Sequence, residues 1–275
     1  MRDTIGRRHT LTLGLFTAAA SSRLGLAPAA AQDTGSAEGK TYVLVHGAWG
    51  GGWFWTPVAE RLRAQGHRVV TPTLTGMGER KHLLSRGVTL DTWVEDLVNA
   101  IEADELRDAI LVGYSFGGIP AIGVVDRIPE RIRRLVLLDS LVVEGGQRAL
   151  DVVPADRAEG IRRAAVDQGS GPVLPPPRTA AALGMPDGPI TQWLLRRFTP
   201  QPLATYESPL RLDHPVGNGR PRTYVALTRP PYSFIEPSRR WVRSQAGWDW
   251  VELAASHLAP VTAPEEVARL LAAFG

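Results

Sequence analysis

Ser115 sits inside ILVGYSFGGIPA, residues 110–121, with Gly113 and Gly117 two positions away on either side. Alone, Gly-x-Ser-x-Gly is weak evidence in a chain with 28 glycines. Its setting says more. The apolar run AILVGYS (109–115) predicts a buried strand, and FGGIPAIGVVDRI (116–128) predicts a helix directly after it. A serine nucleophile needs that strand-to-helix turn, because the turn holds its hydroxyl in the open. Glycines on both sides let neighbouring backbone pass where a Cβ would clash. The following helix offers free amides and the positive end of its dipole to a developing oxyanion. The competing reading is a tight turn with no chemistry.

A second stretch points the same way. VLVHGAWGGGWFW (43–55) runs from a strand into His46-Gly47-Ala48 and a glycine cluster. Such a loop can aim the Ala48 amide at the point reached by the Phe116 amide, and two donors of this kind form an oxyanion hole. A general base is also required. Of the six histidines, His9 lies near the N-terminus, His46 belongs to the glycine loop, where its ring braces the turn, and His67 starts a strand. His82 follows GERK, and His214 lies in a Pro/Gly-rich region. His257 alone falls between the last predicted strand and the last predicted helix, at the strand-end edge where Ser115 is expected, and is the candidate base.

The elements that must position these groups are legible as alternating periods. TYVLVHG (41–47), HRVVTPTL (67–74), AILVGYS, RLVLLDS (134–140), TYVALT (223–228) and WDWVELAA (248–255) read as strands. Between them, TPVAERLRAQG (56–66) carries Thr56 as cap and Pro57 at the first helical position, and TLDTWVEDLVNAIEADE (89–105) has one apolar helical face. TAPEEVARLLAAF (262–274) opens with Thr262 and Glu265 at capping-box spacing. Near-continuous apolar strands alternating with helices predict an α/β fold with a mostly parallel sheet covered on both faces. Residues 145–221 break the rhythm with SGPVLPPPR, GMPDGP and HPVGNGRP, and hold one clear helix near ITQWLLRRF. They are expected to form a small helical cap over the carboxyl edge of the sheet, inserted before the penultimate strand of a core formed by 40–144 and 222–275.

Composition narrows the role. The 275 residues include no cysteine, which excludes disulfides, thiolate metal sites and a cysteine nucleophile. No metal-ligand spacing is present. The sequence pI of about 9.6 suggests a nucleic-acid partner, but the excess charge is local. Residues 1–31 hold Arg2, Arg7, Arg8 and Arg23 against Asp3, which leaves 27 of 31 basic and 27 of 28 acidic side chains in the remainder. The body of the chain is therefore neutral, and a nucleic-acid role loses its basis. GRRHTLTLG followed by an apolar run and APAAAQ resembles a twin-arginine export signal cleaved after Ala31, a route that carries folded proteins. Residues 32–39 read as a linker, and the apolar run is too short for a stable membrane anchor.

Taken together, HGAWGGGWFW, GERKHLLS, GYSFGG, LLDSLVVEGGQ, PLATYESPL and SHLAPVTAPEEVARLL resemble the alpha/beta-hydrolase superfamily, and within it bacterial esterases related to plant methyl esterases and hydroxynitrile lyases. The resemblance runs from about Lys40 to the C-terminus and implies a serine hydrolase with a cap, no cofactor, and a small-molecule ester as partner. The plant relatives carry their triad acid after the penultimate strand, where this chain reads YVALTRPPYS with no carboxylate before Glu236. Other members carry it one strand earlier, which nominates Asp139 in VLLDS, with Glu236 second and Asp249 third. Serine rather than aspartate at the turn departs from dehalogenases and epoxide hydrolases. The only lysines, Lys40 and Lys81, are far from the position of the lyases' lysine. Trp49, Trp53 and Tyr114 are the candidate pocket residues, and an aromatic pocket suits a hydrophobic or aromatic ester. Lactone or thioester hydrolysis, cofactor-free lyase chemistry and a non-catalytic binding role stay open as alternatives.

Overall fold

The computed structural model describes residues 39–274; the expected export leader and all but the last residue of the expected linker lie outside them. Along the chain run β1 (Thr41–Val45), α1 (Thr56–Ala64), β2 (Arg68–Val70), α2 (Leu90–Ala103), β3 (Ala109–Tyr114), α3 (Gly118–Arg127) and β4 (Ile132–Leu138). Next come α4 (Ala155–Ala164), β5 (Val166–Asp167), β6 (Pro172–Leu174), α5 (Pro189–Arg197), β7 (Gln201–Pro202) and α6 (Ala204–Glu207). The chain closes with β8 (Arg222–Leu227), α7 (Glu236–Ser244), β9 (Asp249–Leu253), α8 (Ala259–Thr262) and α9 (Pro264–Ala272).

Six strands form one sheet in the order β2-β1-β3-β4-β8-β9, and every pairing is parallel. Alternation along each strand feeds two cores. Val43, Leu111, Leu135 and Ala226 face the side packed by α2 and α3, whereas Leu44, Val112, Val136 and Val225 face α1 and α9. Burial on both faces explains the unbroken apolar runs in the sequence. With all strands parallel, the carboxyl ends of β1, β3, β4, β8 and β9 point to one edge. The loops carrying Ala48, Ser115, Asp139 and His257 leave from that edge.

Three local expectations differ from the structure. The segment between β4 and β8 is not purely helical: β5, β6 and β7 form a three-stranded antiparallel sheet beside its helices. Strands of two or three residues containing Pro172 and Pro202 leave no period to read. Thr56 is the first residue of α1, with Trp55 at the cap and Pro57 second. Thr262 does not cap the last helix. It ends the short α8, its hydroxyl donates to the Leu258 carbonyl at 3.1 Å, and Ala263 precedes α9.

Candidate active site

The turn after β3 forces Ser115 into the left-handed region, at φ +53°. A non-glycine residue there is strained, and such strain persists only where surrounding packing imposes it. The glycines supply the room. A Cβ on Gly117 would sit 2.3 Å from the His46 carbonyl oxygen, and one on Gly113 2.5 Å from the Gly118 Cα. Trp49 (φ +60°) and Asp139 (φ +45°), from two other loops at the same edge, are strained in the same way.

The three side chains singled out by type and position meet. His257 Nε2 lies 3.0 Å from Ser115 Oγ, and His257 Nδ1 lies 2.7 Å from Asp139 Oδ2. Asp139 is fully buried while His257 is partly open, so the line runs from the interior outward to the serine. The other carboxylate oxygen, Oδ1, accepts from Leu227 N (3.1 Å), Arg239 Nε (3.2 Å) and Arg239 Nη2 (2.6 Å). Arg239 is itself buried, and its Nη2 also donates to the Leu227 carbonyl at 2.7 Å. Burial disfavours the guanidinium charge, but the hydrogen bond and charge of Asp139 outweigh it and raise the Arg239 pKa. Glu236, second choice as acid, faces Arg239 Nη1 at 3.4 Å rather than the imidazole, because its side chain leaves the first turn of α7 three residues before Arg239. Asp249 pairs at 2.6 Å with Arg134 at the start of the strands.

Two further bonds fasten the loops together. Ser140 Oγ donates to the Ser115 carbonyl at 2.6 Å, and Tyr114 Oη donates to the His257 carbonyl at 2.8 Å. Tyr114 thus lines the pocket and also tethers His257. Burial, aided by the Asp139 charge, pushes its hydroxyl well above the usual range, so it stays a donor.

The glycine loop lies against the serine: a Cβ on Gly47 would fall 2.9 Å from the Ser115 Cβ. The next amide, Ala48 N, has no hydrogen-bond partner among the described residues, and Ala48 and Phe116 both line the cavity at Ser115. His46 braces this loop from behind. It is buried, contacts the Gly47 carbonyl through Nδ1 at 2.9 Å, and accepts the Leu74 amide at Nε2 at 3.2 Å. That pairing makes it a neutral ring with the proton on Nδ1, and burial lowers its pKa to about 4.

A cavity of about 450 Å³ opens over Ser115 and His257. Trp49, Phe54, Tyr114, Phe116, Phe198 and Tyr206 supply most of its aromatic wall, and α4 contributes Ile161 and Ala164 from the inserted segment. Trp53 is not in that wall. The turn at 52–55 sends its ring away from the cavity, 4.9 Å edge-on to Trp193 and 5.8 Å from Phe198, while Phe54 takes the wall position and stacks on Tyr114 at 5.0 Å. Arg239, Ser140, Tyr206 and Tyr232, whose ring stacks 4.3 Å from His257, escape sequence reasoning. The only signal for any of them is the adjacency of Ser140 to Asp139. Among the described residues no group of three His, Asp or Glu side chains is placed to hold a metal ion.

The chain is similar in sequence and fold to known proteins. A sequence model of the alpha/beta hydrolase family matches residues 42–270. A carbendazim hydrolyzing esterase from Nocardioides sp. is 40% identical over 242 residues, covering 85% of this chain and 99% of the relative. The putative chloroplastic methylesterase 14 of Arabidopsis thaliana is 34% identical over 114 residues, 41% of this chain and 33% of that protein. Among solved structures, an extracellular alpha/beta-hydrolase from a Paenibacillus species superposes with TM-score 0.74 at 26% identity, covering 86% of this chain and 99% of that one. With a family match across nearly the whole described region and a full-length relative at 40% identity, the chain belongs to the alpha/beta hydrolase family.

Proposed function

We propose that the protein is a serine esterase that cleaves a carboxylic ester of a hydrophobic or aromatic small molecule through an acyl-enzyme. The observation that carries this reading is the continuous Ser115–His257–Asp139 line, 3.0 Å and 2.7 Å long, at the floor of an aromatic cavity. His257 Nε2 takes the Ser115 proton as Oγ adds to the ester carbonyl, and Asp139 stabilises the resulting imidazolium. The amides of Ala48 and Phe116 receive the oxyanion. Collapse of the tetrahedral adduct breaks the C–O bond, His257 protonates the departing alcohol, and water repeats the sequence to release the acid. The name of the Nocardioides relative, a carbendazim hydrolyzing esterase, supports ester cleavage.

The twin-arginine pattern of residues 1–31 supports export of the folded enzyme, as does the description of the Paenibacillus neighbour as extracellular. Hydrolysis of a panel of aryl and alkyl esters by wild type and Ser115→Ala tests the catalytic reading. Ester turnover lost in the variant is expected, and turnover retained would overturn it. Mature protein beginning at Gln32 outside the cytoplasm is the expected result for export.

A further inference from the structure

Tyr206, on the short helix α6, is only 3% exposed and lines the cavity above Ser115. Its ring packs 4.5 Å from that of Phe116, the residue that follows the nucleophile, and Phe116 is held from its other side by Trp93 at 5.6 Å. The Tyr206 amide is used within the fold, donating to the Leu203 carbonyl. Its hydroxyl, in contrast, has no hydrogen-bond partner among the described residues, although the hydroxyls of Tyr42, Tyr114 and Tyr224 each donate to a backbone carbonyl. The Tyr206 hydroxyl oxygen is not sealed in the interior but reachable, so it is free to pair with an occupant of the cavity, as is the hydroxyl of the more exposed Tyr232. The cavity walls are mainly apolar, with Leu174, Ile161 and Phe198 among them, and also include Asp156, Arg157 and Tyr232.

We infer that Tyr206 is a specificity-determining residue whose hydroxyl donates a hydrogen bond to an acceptor on the substrate, selecting aromatic esters that carry a carbonyl, ring nitrogen or ether oxygen in addition to the scissile ester. This rests on the serine-esterase reading. Chemistry sets the direction of the bond. Burial raises the Tyr206 pKa far above its ordinary value, so the group stays a neutral phenol, a better donor than acceptor. Its ring packs on that of Phe116, and both line the cavity that holds Ser115, so the acceptor belongs to the same bound molecule as the scissile ester. An apolar ester of the same shape fits the walls but leaves the phenol unpaired, and that difference is what discriminates.

The test compares two matched pairs of esters with wild type and Tyr206→Phe. One pair varies the acyl ring (methyl nicotinate against methyl benzoate) and the other the alcohol ring (3-pyridyl acetate against phenyl acetate). The readout is the ratio of kcat/KM within a pair, so intrinsic differences in ester reactivity cancel between the two proteins. In at least one pair the wild-type preference for the nitrogen-bearing ester is expected to shrink about 10-fold in Tyr206→Phe, the scale of one neutral hydrogen bond. Ratios that are the same in both proteins for both pairs would overturn the inference, whatever happens to the absolute rates. Fluorophosphonate labelling separates this from failure of the underlying reading: both proteins are expected to label at Ser115. A wild type that neither labels nor hydrolyses any ester would refute the esterase reading, and the inference with it.

Discussion

The Arg239 guanidinium holds Asp139 by the oxygen turned away from His257, with Nη2 2.6 Å and Nε 3.2 Å from Oδ1. Both partners are buried, so the carboxylate is fixed in rotation and neutralised on one side while its other oxygen faces the imidazole. Removing the arginine leaves a buried charge without its counterion. Arg239→Gln is therefore expected to lose about 3 kcal/mol of stability. It is also expected to lower kcat more than it raises KM, because Arg239 does not line the cavity. Arg239→Lys restores part of both, since it returns the charge without the fork. Urea unfolding and steady-state kinetics check this, and a wild-type kcat in Arg239→Gln would contradict it.

The two carboxylates nearest Arg239 have different partners and so different expected effects. Asp139→Asn removes the anion that holds His257 in its tautomer and is expected to cut kcat by about 10⁴. Glu236→Gln loosens a half-exposed pairing with Arg239 and is expected to change kcat less than about fivefold. The reverse order of effects would reassign the acid.

His46 makes the fold acid-sensitive in a defined window. Its folded pKa is about 4 against 6.5 for an exposed ring, so the unfolded chain binds the proton first. Above pH 6.5 the group contributes nothing to the pH dependence; as pH falls from 6.5 towards 4, stability is lost. The loss attributable to this ring is about 2 kcal/mol at pH 5. Comparing urea unfolding at pH 7.5 and pH 5.0, the drop is expected to be smaller in His46→Asn by about that amount. An equal drop in both proteins would contradict the assignment.

Gly117→Ala tests the close approach of two loops beside Ser115. Its Cβ would meet the His46 carbonyl oxygen at 2.3 Å, and that oxygen belongs to the loop carrying Ala48. Relief requires the loop and the Ser115 turn to move apart. Ester turnover is expected to fall more than about 100-fold, the scale of an ångström-sized misplacement. An active Gly117→Ala would show that the two loops need not touch.

Much of this arrangement was legible in the sequence, for identifiable reasons. Strand periods and turn glycines are local, so the positions of Ser115, Ala48 and His257 at one sheet edge followed from the order of the elements. Asp139 needed chain order and the family resemblance together, because an aspartate after a strand is common. Arg239 was out of reach: EPSRRWVRS contains three arginines, and only the packing of α7 decides which one meets Asp139. Trp53 was misplaced because neighbouring aromatics in a short turn point in different directions, and composition cannot say which enters the cavity. The β5–β6–β7 sheet went unseen because its strands are too short to show a period.

Everything proposed for the site depends on Ser115 being a nucleophile activated by His257. Incubating the purified protein with a fluorophosphonate and mapping the adduct by peptide mass spectrometry tests it most directly. A single phosphonyl group on Ser115 is predicted, with labelling absent in Ser115→Ala and strongly slowed in His257→Ala. An unlabelled wild type, or equal labelling of the Ser115→Ala protein, would contradict the account.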